Sequence, residues 1–177
     1  ENCMLRGAHV TLVNASVSVE PPMFVDVVNV TSAADMADVV KSKAAEQDII
    51  IMTAAVADFC PSHPADEKIK KNDSSYESVI ELERTEDILS YLGAHKAKGQ
   101  LICGFSMETQ NMLENSKAKL AKKNADMIVA NNLKVAGAGF GTDTNVVTLI
   151  TADDCTELEI MDKSCVASRI MDRLLQM

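Results

Sequence analysis

Apolar and polar positions fall in blocks along the chain, and the period changes from block to block. Ala8 to Val13 and Val25 to Val30 are short β-branched runs, the first ended by Asn14 and the second preceded by Pro21-Pro22, and both predict strands. Ser32 offers a side-chain oxygen to the free amides of a following helix, and the spacing of Met36, Val39 and Val40 predicts that helix over Ala33 to Ala45. Asp48 to Thr53 is a continuous apolar run, of the kind buried on both faces of a parallel sheet. Beyond it, the pattern predicts a strand over Ser78 to Leu82, a helix over Glu86 to Lys96 and an apolar strand over Gln100 to Phe105. Thr109 is placed to cap a helix reaching Lys123, with a strand following over Asp126 to Ala130. In the tail, Asn145 to Thr151 and Glu157 to Ile160 have the pattern of a hairpin, and a helix starts near Lys163. Asn2 to Arg6 reads as the last turn of a helix stopped by Gly7, so further residues are expected upstream.

Strands alternating with helices imply right-handed crossovers. The predicted fold is therefore α/β and Rossmann-like: a mainly parallel sheet with helices on both faces and a small antiparallel hairpin near the C-terminus. Without repeats, linkers or low-complexity stretches, residues 1–177 are expected to form one domain.

Composition narrows this picture. The chain is 47% hydrophobic but has no Trp, two Tyr and four Phe, which favours helices on a sheet over an aromatic-cored sandwich. Lys plus Arg is 17 against 26 Asp plus Glu, a formal charge of −9, which argues against a nucleic-acid partner. Any basic cluster must then have a local purpose. Cys3, Cys60, Cys103, Cys155 and Cys165 are odd in number and lack CxxC spacing, so reduced thiols in a cytoplasmic protein are expected, with no disulfide framework and no zinc site. No apolar run has membrane-spanning length, and the first residues do not read as a signal peptide.

In open α/β sheets, small molecules gather beyond the carboxyl ends of the strands. Here those ends are Asn14, Thr53 to Asp58, Gly104 to Thr109, and Asn131-Asn132. The small residues of Ala54-Ala55-Val56-Ala57 would let a ligand reach the backbone, and Asp58 would accept hydrogen bonds or help hold a metal ion. A tight turn with a solvated Asp is the plainer alternative. Lys68-Ile69-Lys70-Lys71 follows; on an extended segment Lys68 and Lys70 share one face and Lys71 the other. Lysines brought over a site suit chemistry on a polyphosphate, whereas a solvated charge run needs no site at all. Lys119 and Lys123 lie one helical turn apart near a helix C-terminus, where the dipole alone would favour them. Phe105 is suited to lie against a base or sugar, or simply to fill the core.

Two further groupings are set aside. Gly137-Ala138-Gly139-Phe140-Gly141 is followed by Thr-Asp-Thr-Asn and a strand, not by the helix that a dinucleotide-binding turn requires. Asp58, Cys60 and His63 sit in a Pro-flanked loop with no second ligand cluster, so an exposed His is expected there. The sequence identifies no metal ligands.

In order, Arg6-Gly-Ala-His-Val-Thr-Leu-Val13, Ala54-Ala-Val-Ala-Asp58, Lys68-Ile-Lys-Lys71, Asp87-Ile-Leu89, Gly104-Phe105 with Glu108-Thr109, Lys119 and Lys123, Asp126-Met-Ile-Val-Ala-Asn131, Asn145 and Lys163-Ser164 resemble the phosphopantothenate–cysteine ligase family. The likeness covers nearly the whole chain. In bacteria this ligase usually forms the C-terminal half of a bifunctional coenzyme A biosynthesis protein, so fusion to or association with a flavin-dependent decarboxylase domain is implied. The resemblance also implies CTP, 4′-phosphopantothenate and cysteine as substrates, Mg²⁺ as cofactor, and a homodimer formed through the segment between Lys71 and Glu83 and the tail hairpin. Carried over by position, Ala54, Asp58, Glu86, Asp87, Ile88, Leu89, Phe105, Lys119 and Lys123 would bind the nucleotide. Lys68 would bind it too and would act catalytically on the reacting phosphate.

The chain departs from the family in places. Glu86 stands where many members have Pro, and Ser106-Met107 replaces the commoner Ala-Ala or Ser-Ala. The family's N-terminal strand, glycine-rich turn and an Asn used to convert the intermediate are expected upstream of Glu1, and the chain without them is expected to be inactive alone. Two other functions use the same fold: an NAD(P)-dependent oxidoreductase domain, which needs a glycine turn after its first strand, and a non-catalytic nucleotide-binding module, which would bind without turnover.

Overall fold

A computed structural model describes residues 1–15, 17–65, 67–68, 79–107, 111–132, 135, 139 and 141–177. In chain order the elements are α1 (Asn2–Leu5), β1 (Thr11–Asn14), β2 (Asp26–Asn29), α2 (Ala33–Ala44), β3 (Ile49–Met52), β4 (Phe59–Pro61), β5 (Leu82–Arg84), α3 (Ile88–Ala94), β6 (Leu101–Met107) and α4 (Met112–Lys122). They continue with β7 (Met127–Asn131), β8 (Thr144–Asn145), β9 (Val147–Ile150), β10 (Cys155–Glu157), β11 (Met161–Asp162) and α5 (Lys163–Leu174).

The central sheet has five strands in the order β10-β9-β7-β6-β3. β3, β6 and β7 run parallel, while β9 is antiparallel to both β7 and β10. Its middle strands are apolar without alternation because both faces are covered. On one face, Val166, Ile170, Met171 and Leu174 of α5 pack against Cys103, Met127, Val129, Val147 and Leu149. On the other, Met36, Ala37 and Val40 of α2 and Ile88 and Leu92 of α3 pack around Ile102. This is the predicted α/β architecture with helices on both faces. The tail hairpin is present as β9–β10, with its second strand at Cys155–Glu157 and not over Glu157 to Ile160, and β8 and β11 form a second antiparallel pair.

β3 differs from expectation. Ile49-Ile-Ile-Met52 was expected to be buried on both faces, yet all four residues are only half-buried. β3 pairs with β6 along one edge, whereas β1, among the described residues, pairs with β2 alone in a separate two-stranded parallel sheet. Between the two lies a cavity of about 170 Å³ walled by Thr11, Leu12 and Val13 of β1 and by Ile49 to Met52 of β3, with Met36 and Val40 of α2 beside them. An apolar strand is buried only when it has neighbours, and among the described residues β3 has one on a single side.

Other boundaries moved for local reasons. The strand expected over Ser78 to Leu82 is found over Leu82–Arg84, paired in an unanticipated antiparallel ribbon with Phe59–Pro61. The helix expected from Glu86 starts at Ile88, because the Asp87 side chain accepts the Ser90 amide at 2.9 Å and so makes Asp87 the N-cap. α4 starts at Met112 with Asn111 at its N-cap position, and Thr109, expected to cap it, lies outside the described residues. For α2 the expectation is met: the Ser32 side chain accepts from the Asp35 amide while Asp35 accepts from the Ser32 amide, a reciprocal capping box.

α3 and α4 meet at Gly93. A Cβ at this position would run into the Lys123 carbonyl, so only glycine lets the helix lie flush against the end of α4. Asn124, in the left-handed region at φ 47°, closes the joint by donating its side-chain amide to the Gly93 carbonyl at 2.7 Å. Gly93→Ala is expected to push the two helices apart and lower the melting temperature by about 5–15 °C. A thermal melt followed by circular dichroism checks this, and an unchanged midpoint would show that the joint yields without cost.

Candidate functional site

β3 and β6 are neighbours in parallel register, with Met52 opposite Gly104, so the chain leaves both strands side by side at one end of the sheet. The segment after β3 descends through Ala54 to Asp58 into β4, and the β4–β5 ribbon returns it so that Thr85 lies against this segment. There the Thr85 amide donates to the Asp58 carbonyl at 3.1 Å, and its hydroxyl donates to the Ala57 carbonyl. That tie delivers Glu86, Asp87 and the first turn of α3 beside Ala57-Asp58. Gly104 closes the floor: a Cβ there would stand 2.7 Å from a Leu89 methyl and 3.0 Å from one of Ile128, so its absence lets Leu89 settle on the strand.

The result is a cavity of about 230 Å³ at the carboxyl ends of β3 and β6. Ala54, Asp58, Glu86, Asp87, Ile88, Leu89, Phe105, Lys119 and Lys123 all line it, so every nucleotide-binding candidate except Lys68 converges there. Lys68 is exposed and does not line the cavity; Lys70 and Lys71 lie outside the described residues. Two of the four strand ends, Asn14 and Asn131, do not line the cavity. Asn14 donates to Asn29 at 3.1 Å, and Asn131 bonds the Ser106 carbonyl and Asn145.

The cavity's charges are largely matched in pairs. Lys123, whose side chain is 13% exposed, donates to Asp87 and, at 2.9 Å, to Ser90. Burial pushes the Asp87 carboxyl up, but the Lys123 ammonium and the Ser90 amide outweigh it and hold the group below the ordinary carboxylate range. Glu86 accepts from Lys41 of α2 at 2.6 Å, and the same ammonium stands 5.5 Å from the Tyr91 ring centre. The bond to Glu86 raises the Lys41 pKa. Lys119 donates to the Phe105 carbonyl at 2.8 Å, while Phe105 itself packs against the α5-side core. Among the described residues, the Asp58 carboxylate has no ion-pair partner. Lys41, Thr85 and Ser90 were not legible as site residues. The first sits on a helix distant in sequence, and the other two act through hydrogen bonds that no spacing signals.

Of the two groupings set aside, the glycine run falls mostly outside the described residues, since Gly137, Ala138 and Phe140 are not among them. The His63 side chain is 86% exposed and 4.0 Å from Glu81, and the Cys60 thiol faces Glu83 at 3.9 Å. Every cysteine is free, and burial pushes the Cys103 thiol up to about 12, which leaves it unreactive. Among the described residues, no three His, Cys, Asp or Glu are grouped to hold a metal, and no helix is long and apolar enough to cross a membrane.

A pocket at the carboxyl ends of parallel strands, floored by glycine and small residues and walled by lysines and carboxylates, defines a polar small-molecule site of the open α/β class. Comparison with known proteins is specific about the family. The chain belongs to the family of the DNA/pantothenate metabolism flavoprotein C-terminal domain, which matches residues 1–177. It is 45% identical over 176 residues to the coenzyme A biosynthesis bifunctional protein CoaBC of Bacillus subtilis (strain 168), covering 98% of this chain and 43% of that protein. It is 44% identical over 171 residues to a cysteine/cysteine sulfinic acid decarboxylase of an unknown prokaryotic organism, covering 96% and 47%. The chain thus spans less than half the length of both relatives. The crystal structure of the C-terminal domain of a CoaBC protein superposes with a TM-score of 0.80 at 40% identity, over 98% of this chain and 78% of that one.

The depressed Asp87 pKa has a pH signature. A carboxyl held below its unfolded value stabilises the fold above that value and loses the contribution as the pH falls through the folded one. The melting-temperature gap between the protein and Asp87→Asn is therefore expected to be full at pH 7 and to close as the pH drops below about 4. A gap that stays constant down to pH 2 would show that the ion pair contributes nothing.

Proposed function

We propose that this domain is the CTP-dependent ligase that joins 4′-phosphopantothenate to cysteine in coenzyme A biosynthesis. The observation that carries the proposal is the convergence of Ala54, Asp58, residues 86–89, Phe105, Lys119 and Lys123 on one cavity, from segments far apart in sequence. Family membership and the CoaBC relatives support it.

A carboxylate is a poor acyl donor, because its leaving group would be oxide. In the first step an oxygen of the phosphopantothenate carboxylate attacks the α-phosphorus of CTP. The bond from that phosphorus to the bridging oxygen breaks, and pyrophosphate leaves with the electron pair. In the second step the cysteine amine attacks the carbonyl carbon of the acyl-cytidylate, the bond to CMP breaks, and the nitrogen gives up a proton as the amide forms. Small residues at Ala54 to Ala57 let the nucleotide reach backbone groups, while Lys119 and Lys123 supply positive charge at the cavity wall. Lys68, exposed and outside the cavity, is suited to a contact made only as charge shifts on the phosphates.

Mg²⁺ fits this site as a companion of the triphosphate. It is ordinarily held by one or two carboxylates together with substrate phosphates, and among the described residues Asp58 is a cavity carboxylate without an ion-pair partner. It would neutralise charge on the transferring phosphate. A cytoplasmic homodimer, fused to or associated with a flavin-dependent decarboxylase domain, completes the proposal.

The test uses the protein together with its upstream region. With labelled CTP, 4′-phosphopantothenate and Mg²⁺ but no cysteine, acyl-cytidylate and pyrophosphate are expected to accumulate; the appearance of neither would refute the ligase. In the active protein, Lys68→Ala is expected to lower turnover by about 30- to 800-fold, on the order of 2–4 kcal/mol, with CTP affinity changed less than about threefold. Equal losses in turnover and affinity in steady-state kinetics and calorimetry would assign Lys68 to ground-state binding instead.

A further inference from the structure

A polar group buried in a helix-on-sheet core needs a partner, and usually a reason. Gln100 has one: its side chain donates to the carbonyls of Ala44 and Gln47 at 2.7 and 2.6 Å, closing the end of α2. Thr151 has another, since its hydroxyl accepts the Asp154 amide at 3.1 Å in the β9–β10 turn. Ser106 and Ser116 cap no helix and close no turn. They are 4% and 0% exposed, one on β6 and one on α4, and their hydroxyls meet at 2.8 Å.

Their surroundings give this pair a purpose. One residue before Ser106, the Phe105 carbonyl accepts from Lys119; one helical turn before Lys119 stands Ser116, and one turn after it stands Lys123. The hydroxyl pair and the lysine contact thus bind the same two elements along one line. The carbonyl of Ser106 is held from the other side by the Asn131 amide at 3.3 Å. Apolar contacts keep α4 on the sheet and the Gly93 joint holds its C-terminal end, but apolar contacts are non-directional and specify position along the strand less sharply than a hydrogen bond. Two hydroxyls at hydrogen-bond distance permit one register.

We propose that the Ser106–Ser116 hydrogen bond is a positioning device: it fixes the register of α4 on β6 and so sets where the Lys119 and Lys123 ammonium groups stand at the cavity. Its role in affinity rests on the nucleotide-site proposal above, but the register itself does not.

The experiment compares Ser116→Ala with the double variant Ser106→Ala/Ser116→Ala in three measurements. These are the melting temperature, water exchange of the Lys119 ammonium protons by NMR of ligand-free protein, and CTP affinity by calorimetry. The single variant leaves a buried hydroxyl unpaired and is expected to melt lower; the double variant removes both polar groups and is expected to recover most of the loss. Lys119 proton exchange is expected to rise about tenfold in both variants, and CTP affinity to fall about tenfold in both, because restoring stability does not restore register. If exchange and affinity recover with stability in the double variant, or never change in the single one, the pair is packing only and the proposal fails. If the unaltered protein and its upstream region bind no CTP, the nucleotide reading falls, while Lys119 exchange still decides the register.

Discussion

The parallel pairing of β3 with β6 is the constraint on which the site depends. With Met52 opposite Gly104, two chain exits that are far apart in sequence leave the sheet next to each other. Everything else in the cavity is attached to one exit or the other. Asp58 continues β3, and residues 86–89 are tied back to that continuation by the Thr85 bonds at Ala57 and Asp58. Phe105 ends β6, and Lys119 grips its carbonyl. Gly104 belongs to the same constraint, since any side chain there would lift Leu89 off the strand and with it the start of α3.

A protein of net charge −9 that held a polyanion, as we propose, would need local relief from its own field. It does not find that relief in a bare cluster of lysines. Glu86 and Asp87 each carry a lysine, so the cavity wall presents organised pairs and not a net positive surface. Pairs of this kind hold side chains in fixed places, and a polar ligand meets donors already oriented. Under the proposed function, further charge compensation for a triphosphate would fall to groups outside the wall, with Lys68 and a divalent ion as the candidates.

Met52 and Ala54 line both cavities, the one at the strand ends and the one between β1 and β3. The half-buried state of β3 and the shape of the β3 exit are therefore one structural problem. A neighbour on the open edge of β3 would bury Ile49 to Met52 and at the same time fix the backbone that leads to Ala54.

Periodicity and end signals in the sequence determined most of the fold, because they are local. The Ser32 cap, the apolar runs that became β3, β6 and β7, and the tail hairpin are each written in fewer than a dozen consecutive residues. The AAVAD segment, the 86–89 turn, Phe105 and the two helix lysines were also legible, as strand-end residues and through the family resemblance. Tertiary structure alone decided which of these meet and what state they are in. It paired Lys123 with Asp87 and Lys41 with Glu86, left Asn14 and Asn131 elsewhere, and kept Lys68 in solvent. It also opened one edge of β3 and set Gly93 against Lys123. Those outcomes depend on the register between separate elements, 14 to 45 residues apart for the hydrogen-bonded pairs among them, and a local pattern holds no information about the distance between two side chains that only packing brings together.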